Sequence, residues 1–130
     1  MDEKVRSIIQ LVALLEGKPV MLKAGQVLFE QGQTGTQMFV VQSGALELKV
    51  NGNVVGSAGP GDVIGEMAIV DRQPRSASAV ATTDTALFPI DAPQFDRLVQ
   101  NVPGFAREVI GILVRRLRRS ASSPPPKTRS

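Results

Sequence analysis

The sequence predicts an α+β fold that is mainly β, an antiparallel barrel of the jelly-roll kind with helices at both ends. Three observations predict it. Short apolar segments separated by glycines fill residues 20–90. Leu46, Leu48 and Val50 alternate with Glu47 and Lys49, the period of a half-buried strand. Before and after this region the apolar residues recur every three or four positions instead.

In chain order, Val5, Ile8, Ile9, Val12 and Leu15 mark an amphipathic helix within residues 1–17. Gly17-Lys18-Pro19 ends it, because glycine suits a helix C-terminus and proline cannot continue the hydrogen bonding. Residues 18–90 then carry the barrel. "VLFE", "MFVV", "LELKV" and "ALFPI" are its clearest strand segments, with glycines 25, 32, 35, 44, 52, 56, 59 and 61 at the corners. "NGN" at 51–53 reads as a hairpin turn, since Asn-Gly readily supplies positive φ. Helices return over residues 91–120. Asp91 caps a short one that opens with Pro93 and turns Phe95, Leu98 and Val99 inward. After Pro103, a stripe of Phe105, Val109, Ile112, Leu113 and Leu117 defines a longer helix. Residues 121–130, "ASSPPPKTRS", read as a disordered tail.

Composition removes several kinds of chemistry. With no cysteine and no histidine, the chain lacks disulfides, thiolate nucleophiles, an imidazole base and the usual transition-metal ligands. Without Trp or Tyr, platforms for stacking nucleic-acid bases are scarce. The expectation is a protein that is not an enzyme and holds no metal. No segment has the length of a membrane span, and the start "MDEKVRSIIQ" lacks the apolar core of a signal peptide, so the chain is read as cytoplasmic. Charge is uneven. Residues 1–106 carry 8 basic and 11 acidic side chains, whereas residues 107–130 carry 7 basic and 1 acidic. The basic end, "RRLRR" and the tail, reads first as cations suited to a helix C-terminus, and nucleic acid is not expected as a partner.

One stretch stands apart: "GEMAIVDRQPRSASAV", residues 65–80. Gly65 allows close approach of the backbone, and Glu66 opens a short helix whose free N–H groups favour an anion. Arg75 offers a planar fork of donors matched to phosphate oxygens, Ser76 a hydroxyl, and Ala77 room for backbone N–H groups. Glu66, which can only accept, suits a sugar hydroxyl rather than the phosphate itself. Taken singly, the acid and the arginine are ordinary surface charges. Together they outline a site for a ribose joined to a compact anion.

"PGDVIGEMAIVDRQPRSASAV", preceded by "KAGQVLFEQGQTGTQMFVVQSGALEL", resembles the phosphate-binding cassette and glycine-spaced strands of the cyclic-nucleotide-binding domain family. That family includes catabolite-activator-type transcription factors, kinase regulatory subunits and nucleotide-gated channels. The resemblance covers about residues 5–119, with Ile64 where the family usually has Phe and Ser78-Ala79-Val80 in place of Thr-Val. It implies an antiparallel β-roll with a short internal phosphate-binding helix and C-terminal lid helices. It implies a sensor or regulatory module for a cyclic nucleotide, cAMP ahead of cGMP. Arg75, Ser76 and Ala77 would meet the phosphate, and Gly65 and Glu66 the ribose. Leu48, Val63 and Met67 are the candidates for the wall beside the base, and Arg115 or Arg116 for a cover over it.

Closure of the last helix would signal to a protein partner or a second copy, since the residues after that helix are too few for an output domain. Other classes stay open: a ligand-free scaffold, a regulatory fragment of a larger channel or transcription factor, a direct DNA binder using the basic tail, and a barrel enzyme built on carboxylates and lysines.

Overall fold

A computed structural model describes residues 9, 11–13, 15 and 17–122. The described residues between 9 and 15 are helical, and the tail predicted over 121–130 lies outside them from residue 123 onward. Strands β1 (Val20–Leu22), β2 (Val27–Phe29), β3 (Gln37–Ser43), β4 (Leu46–Val50), β5 (Asn53–Ala58) and β6 (Val63–Ile64) come first. A one-turn helix, α1 (Met67–Val70), interrupts them before β7 (Ser78–Ala81) and β8 (Thr85–Asp91). Helices α2 (Ala92–Asn101) and α3 (Phe105–Ser122) follow.

The strands form two antiparallel four-stranded sheets, in the orders β1-β8-β3-β6 and β2-β7-β4-β5. The local chemistry read from the sequence is in place. Asn51 and Gly52 both have positive φ, 53° and 83°, which turns β4 tightly into β5. Asp91 accepts from the Gln94 backbone N–H while the Gln94 side chain accepts from the Asp91 N–H, a reciprocal cap that starts α2 at the end of β8. Pro89 lies beyond Thr85–Leu87, the stretch of β8 that pairs with β1, so its missing N–H breaks none of that ladder.

Strands β3, β6 and β8 of the first sheet bury side chains on both faces. Met38 and Val40 of β3, Val63 of β6, and Phe88 and Ile90 of β8 pack with Ile9, Val12, Leu98, Phe105, Val109 and Ile112 from the helices. Their alternates Phe39, Val41, Ile64 and Leu87 point the other way, between the sheets, against Phe29, Leu46, Ala58 and Ala79. The period of two thus sorts one set of strands into two cores. On α3, Phe105, Val109 and Ile112 are buried and Leu113 is half-buried, but Leu117 is 69% exposed. The inward face continues at spacings of four, three and four to Arg116, so Leu117 turns to solvent.

Candidate functional site

Arg75 lies in the connection between α1 and β7, and the chain clamps it from upstream. Its backbone N–H donates to the Gln33 carbonyl and its carbonyl accepts from the Gly32 N–H, both at 2.8 Å. Although charged, its side chain is largely buried, with the residue only 8% exposed. The guanidinium sits 4.2 Å from the centre of the Phe29 ring and 5.8 Å from that of Phe39. Contact with an aromatic face stabilises a cation by roughly 0.5–2 kcal/mol. Nη1 donates to the Gly65 carbonyl at 3.1 Å. A Cβ at Gly35 or at Gly65 would fall onto the guanidinium, so a side chain at either position would have to displace the arginine, and Gly65 also has φ of +77°. Burial pushes the Arg75 pKa below its ordinary value, and the negative charge of Glu66 acts in the opposite direction.

Glu66 precedes α1 and points toward the same space. Its Oε1 is buried, and no hydrogen-bond donor reaches it. Arg116 of α3 stands 3.7 Å away, close enough for an ion pair but too far for a hydrogen bond. The same guanidinium donates through Nη2 to the Val63 carbonyl. An acceptor buried without a donor costs about 1–3 kcal/mol or more. A hydroxyl delivered to Oε1 would remove that cost.

These side chains enclose a cavity of about 70 Å³ lined by Phe29, Ile64, Gly65, Glu66, Arg75 and Arg116, with Leu48, Met67, Ser76 and Ala77 also at its walls. It adjoins a wider cleft of about 750 Å³, bounded by Leu48, Val50 and Val55 of the β4–β5 hairpin, by Asp62, and by Arg116 and Arg119 of α3. Most of the site residues expected from the sequence therefore meet at one place. Two do not. The Val63 side chain is 0% exposed and packs into the helix-side core, while its neighbour Ile64 faces the cavity. Arg115 is exposed and lines neither space, since only its neighbour Arg116 continues the inward face of α3.

The sequence reading missed Phe29, Gly35 and Arg119. Phe29 and Gly35 reach Arg75 only through the pairing of β2 with β7 and the docking of the β2–β3 turn. Arg119 had a signal, its position one helical turn beyond Arg116. Among the described residues no group of three His, Cys, Asp or Glu side chains could hold a metal ion, and no helix is long and apolar enough to cross a membrane.

Known proteins share this fold. The family described as the cyclic nucleotide-binding domain matches residues 19–102. The Pycsar effector protein XpPycTIR of Xanthomonas perforans is 35% identical over 109 residues, covering 83% of this chain and 35% of that protein. The catabolite activator protein of Thermus thermophilus superposes with a TM-score of 0.72 at 30% identity, over 87% of this chain and 55% of that one. A solved protein described with a cyclic-GMP-dependent signalling pathway in bacterial phytopathogenesis superposes with a TM-score of 0.69 at 31% identity, over 89% and 94% of the two chains. The chain thus spans about a third of the first relative's length and about half of the second's.

Proposed function

The chain belongs to the cyclic nucleotide-binding domain family, and from that premise we propose that it is a sensor for a cyclic mononucleotide. Arg75 seats the cyclic phosphate, Ser76 and Ala77 line the same end, and Glu66 receives the ribose 2′-hydroxyl beside Gly65. The observation that carries this reading is the convergence in one cavity of a buried guanidinium and a buried carboxylate oxygen that lacks a donor. The Arg75 fork spends Nη1 on Gly65, and its other N–H groups are the donors an anion would use.

Binding, rather than catalysis, is the function proposed. Arg116 links α3 to Glu66 and to the Val63 carbonyl, so a sugar hydroxyl arriving at Glu66 changes what holds α3 in place. The ligand moves that helix only as far as it prefers one position to another. The signal then passes to a protein partner or a second copy through the outer face of α3, where Ile110, Val114 and Leu117 are exposed at spacings of four and three.

Calorimetric titration with cAMP, cGMP and a cyclic dinucleotide tests this. The parent is expected to bind a cyclic mononucleotide. Arg75→Ala should lose about a hundredfold in affinity and Glu66→Ala about tenfold, as for charge-assisted hydrogen bonds. Undiminished binding by both variants would sink the site assignment. No binding by the parent would leave the scaffold reading.

A further inference from the structure

We propose that Met67 is an oxidation-sensitive residue of the ligand cavity, and that converting its thioether to the sulfoxide weakens cyclic-nucleotide binding. This rests on the nucleotide reading above, with the phosphate at Arg75. The inference begins from composition. Cysteine, histidine, tryptophan and tyrosine are all absent, so methionine is the one readily oxidised side chain in the sequence, at positions 1, 21, 38 and 67.

The described methionines, Met21, Met38 and Met67, stand in different surroundings. Met38 of β3 is 0% exposed and packs into the core beneath the helices, out of reach of an oxidant in solution. Met21 of β1 is 68% exposed but lines neither the cavity nor the cleft. Met67 is 42% exposed and also lines the inner cavity, beside Glu66, Arg75 and Ser76. Among the described residues it is therefore the methionine that solvent and ligand both reach.

With hydrogen peroxide as the oxidant, the thioether sulfur attacks one peroxide oxygen, the O–O bond breaks and an S–O bond forms. The departing hydroxide takes up a proton and leaves as water, so sulfur is oxidised and the peroxide reduced. The product carries a polar acceptor oxygen where the thioether was apolar. Two neighbours give that change its direction. Arg75 spends Nη1 on the Gly65 carbonyl, and the new acceptor competes with a phosphate for the remaining N–H groups. Glu66 already holds a buried oxygen without a donor, and a sulfoxide brings it none. Met67 is also the first residue of α1, and its carbonyl accepts from the Asp71 and Gln73 N–H groups. A shift at Met67 thus reaches the turn that leads to Arg75. Sulfoxide reductases reverse the oxidation, which makes the change in affinity reversible.

The test treats the full chain with hydrogen peroxide, follows each methionine by peptide mass spectrometry, and titrates cAMP, cGMP, cCMP and cUMP before and after. Met67 should convert faster than Met38, and saturating nucleotide should slow Met67 but not Met21. The oxidised parent should bind about tenfold more weakly, and methionine sulfoxide reductases with a thiol should restore it. In Met67→Leu the affinities before and after peroxide should be equal, whatever the starting value. Met21→Leu should lose affinity on oxidation as the parent does. Met67 that resists peroxide while Met21 converts overturns the inference. Full oxidation of Met67 with unchanged affinity does so too, as does an equal loss in Met67→Leu. If either occurs in a parent whose binding is weakened by Arg75→Ala, the nucleotide reading survives and the oxidation inference alone fails. If the parent binds none of the four, both fail.

Discussion

Arg75 shows how a single side chain gathers residues remote in sequence. Its fork rests against Phe29, and a Cβ on Gly35 or Gly65 would occupy the same volume. Gly35 has no side chain to contribute and still defines the slot. Gly35→Ala is therefore expected to displace the guanidinium and lower cyclic-nucleotide affinity by about tenfold or more, with the far-UV circular dichroism unchanged. Titration of that variant beside Arg75→Ala checks it, and full affinity in Gly35→Ala would mean that the slot tolerates a methyl group. Arg75 and Glu66 were legible in the sequence because their spacing along one short segment is local. The glycine that shapes the slot was not, because its role depends on where the β2–β3 turn docks. Val63 was misplaced for a simpler reason: adjacent residues on a strand face opposite sides, and the sequence does not say which side is the cavity.

At the level of elements, α3 works with two faces. The inner one buries Phe105, Val109 and Ile112 and ends at Arg116 over the cavity. The outer one leaves Ile110 58%, Val114 40% and Leu117 69% exposed. The sequence stripe grouped Leu117 with Phe105, Val109 and Ile112 without assigning its face, because an i, i+4 partner of Leu113 fits either face until the packing partner is known. Their spacing puts the three side chains on one helix face, where together they could form an apolar contact surface. Sedimentation is expected to show self-association of the parent that Ile110→Lys and Leu117→Lys together abolish, while the titrations above remain unaffected. A parent that is monomeric at every concentration would assign the outer face to a different protein.

The whole molecule is three layers deep: helices, a sheet that buries side chains on both faces, and a second sheet whose hairpin borders the cleft. This architecture was legible as a glycine-cornered barrel between helices. The pairing order of its strands was not, since short strands such as β1, β6 and β7 carry little pattern of their own. A ligand seated as proposed would join the segment before α1, the connection from α1 to β7 and α3, so its occupancy would stabilise the folded state as a unit. At a hundred times its dissociation constant, a ligand bound only to the folded chain adds about 2.7 kcal/mol. For a domain of this size that raises Tm by roughly 10 °C. Thermal scans with and without nucleotide check this, and Arg75→Ala should erase the shift.

The sheet shared by the two cores also decides where the chain can change length. Moving β3 by one residue would carry Met38 and Val40 between the sheets and Phe39 and Val41 among the helices, scrambling both interiors at once. An inserted or deleted residue there has no solvent face on which to be absorbed. The exposed Asn51-Gly52 tip lies beyond that constraint, on the hairpin that borders the cleft. Tolerance of insertion is thus concentrated at that tip, which makes it the place to graft a reporter segment that senses the cleft without disturbing either core.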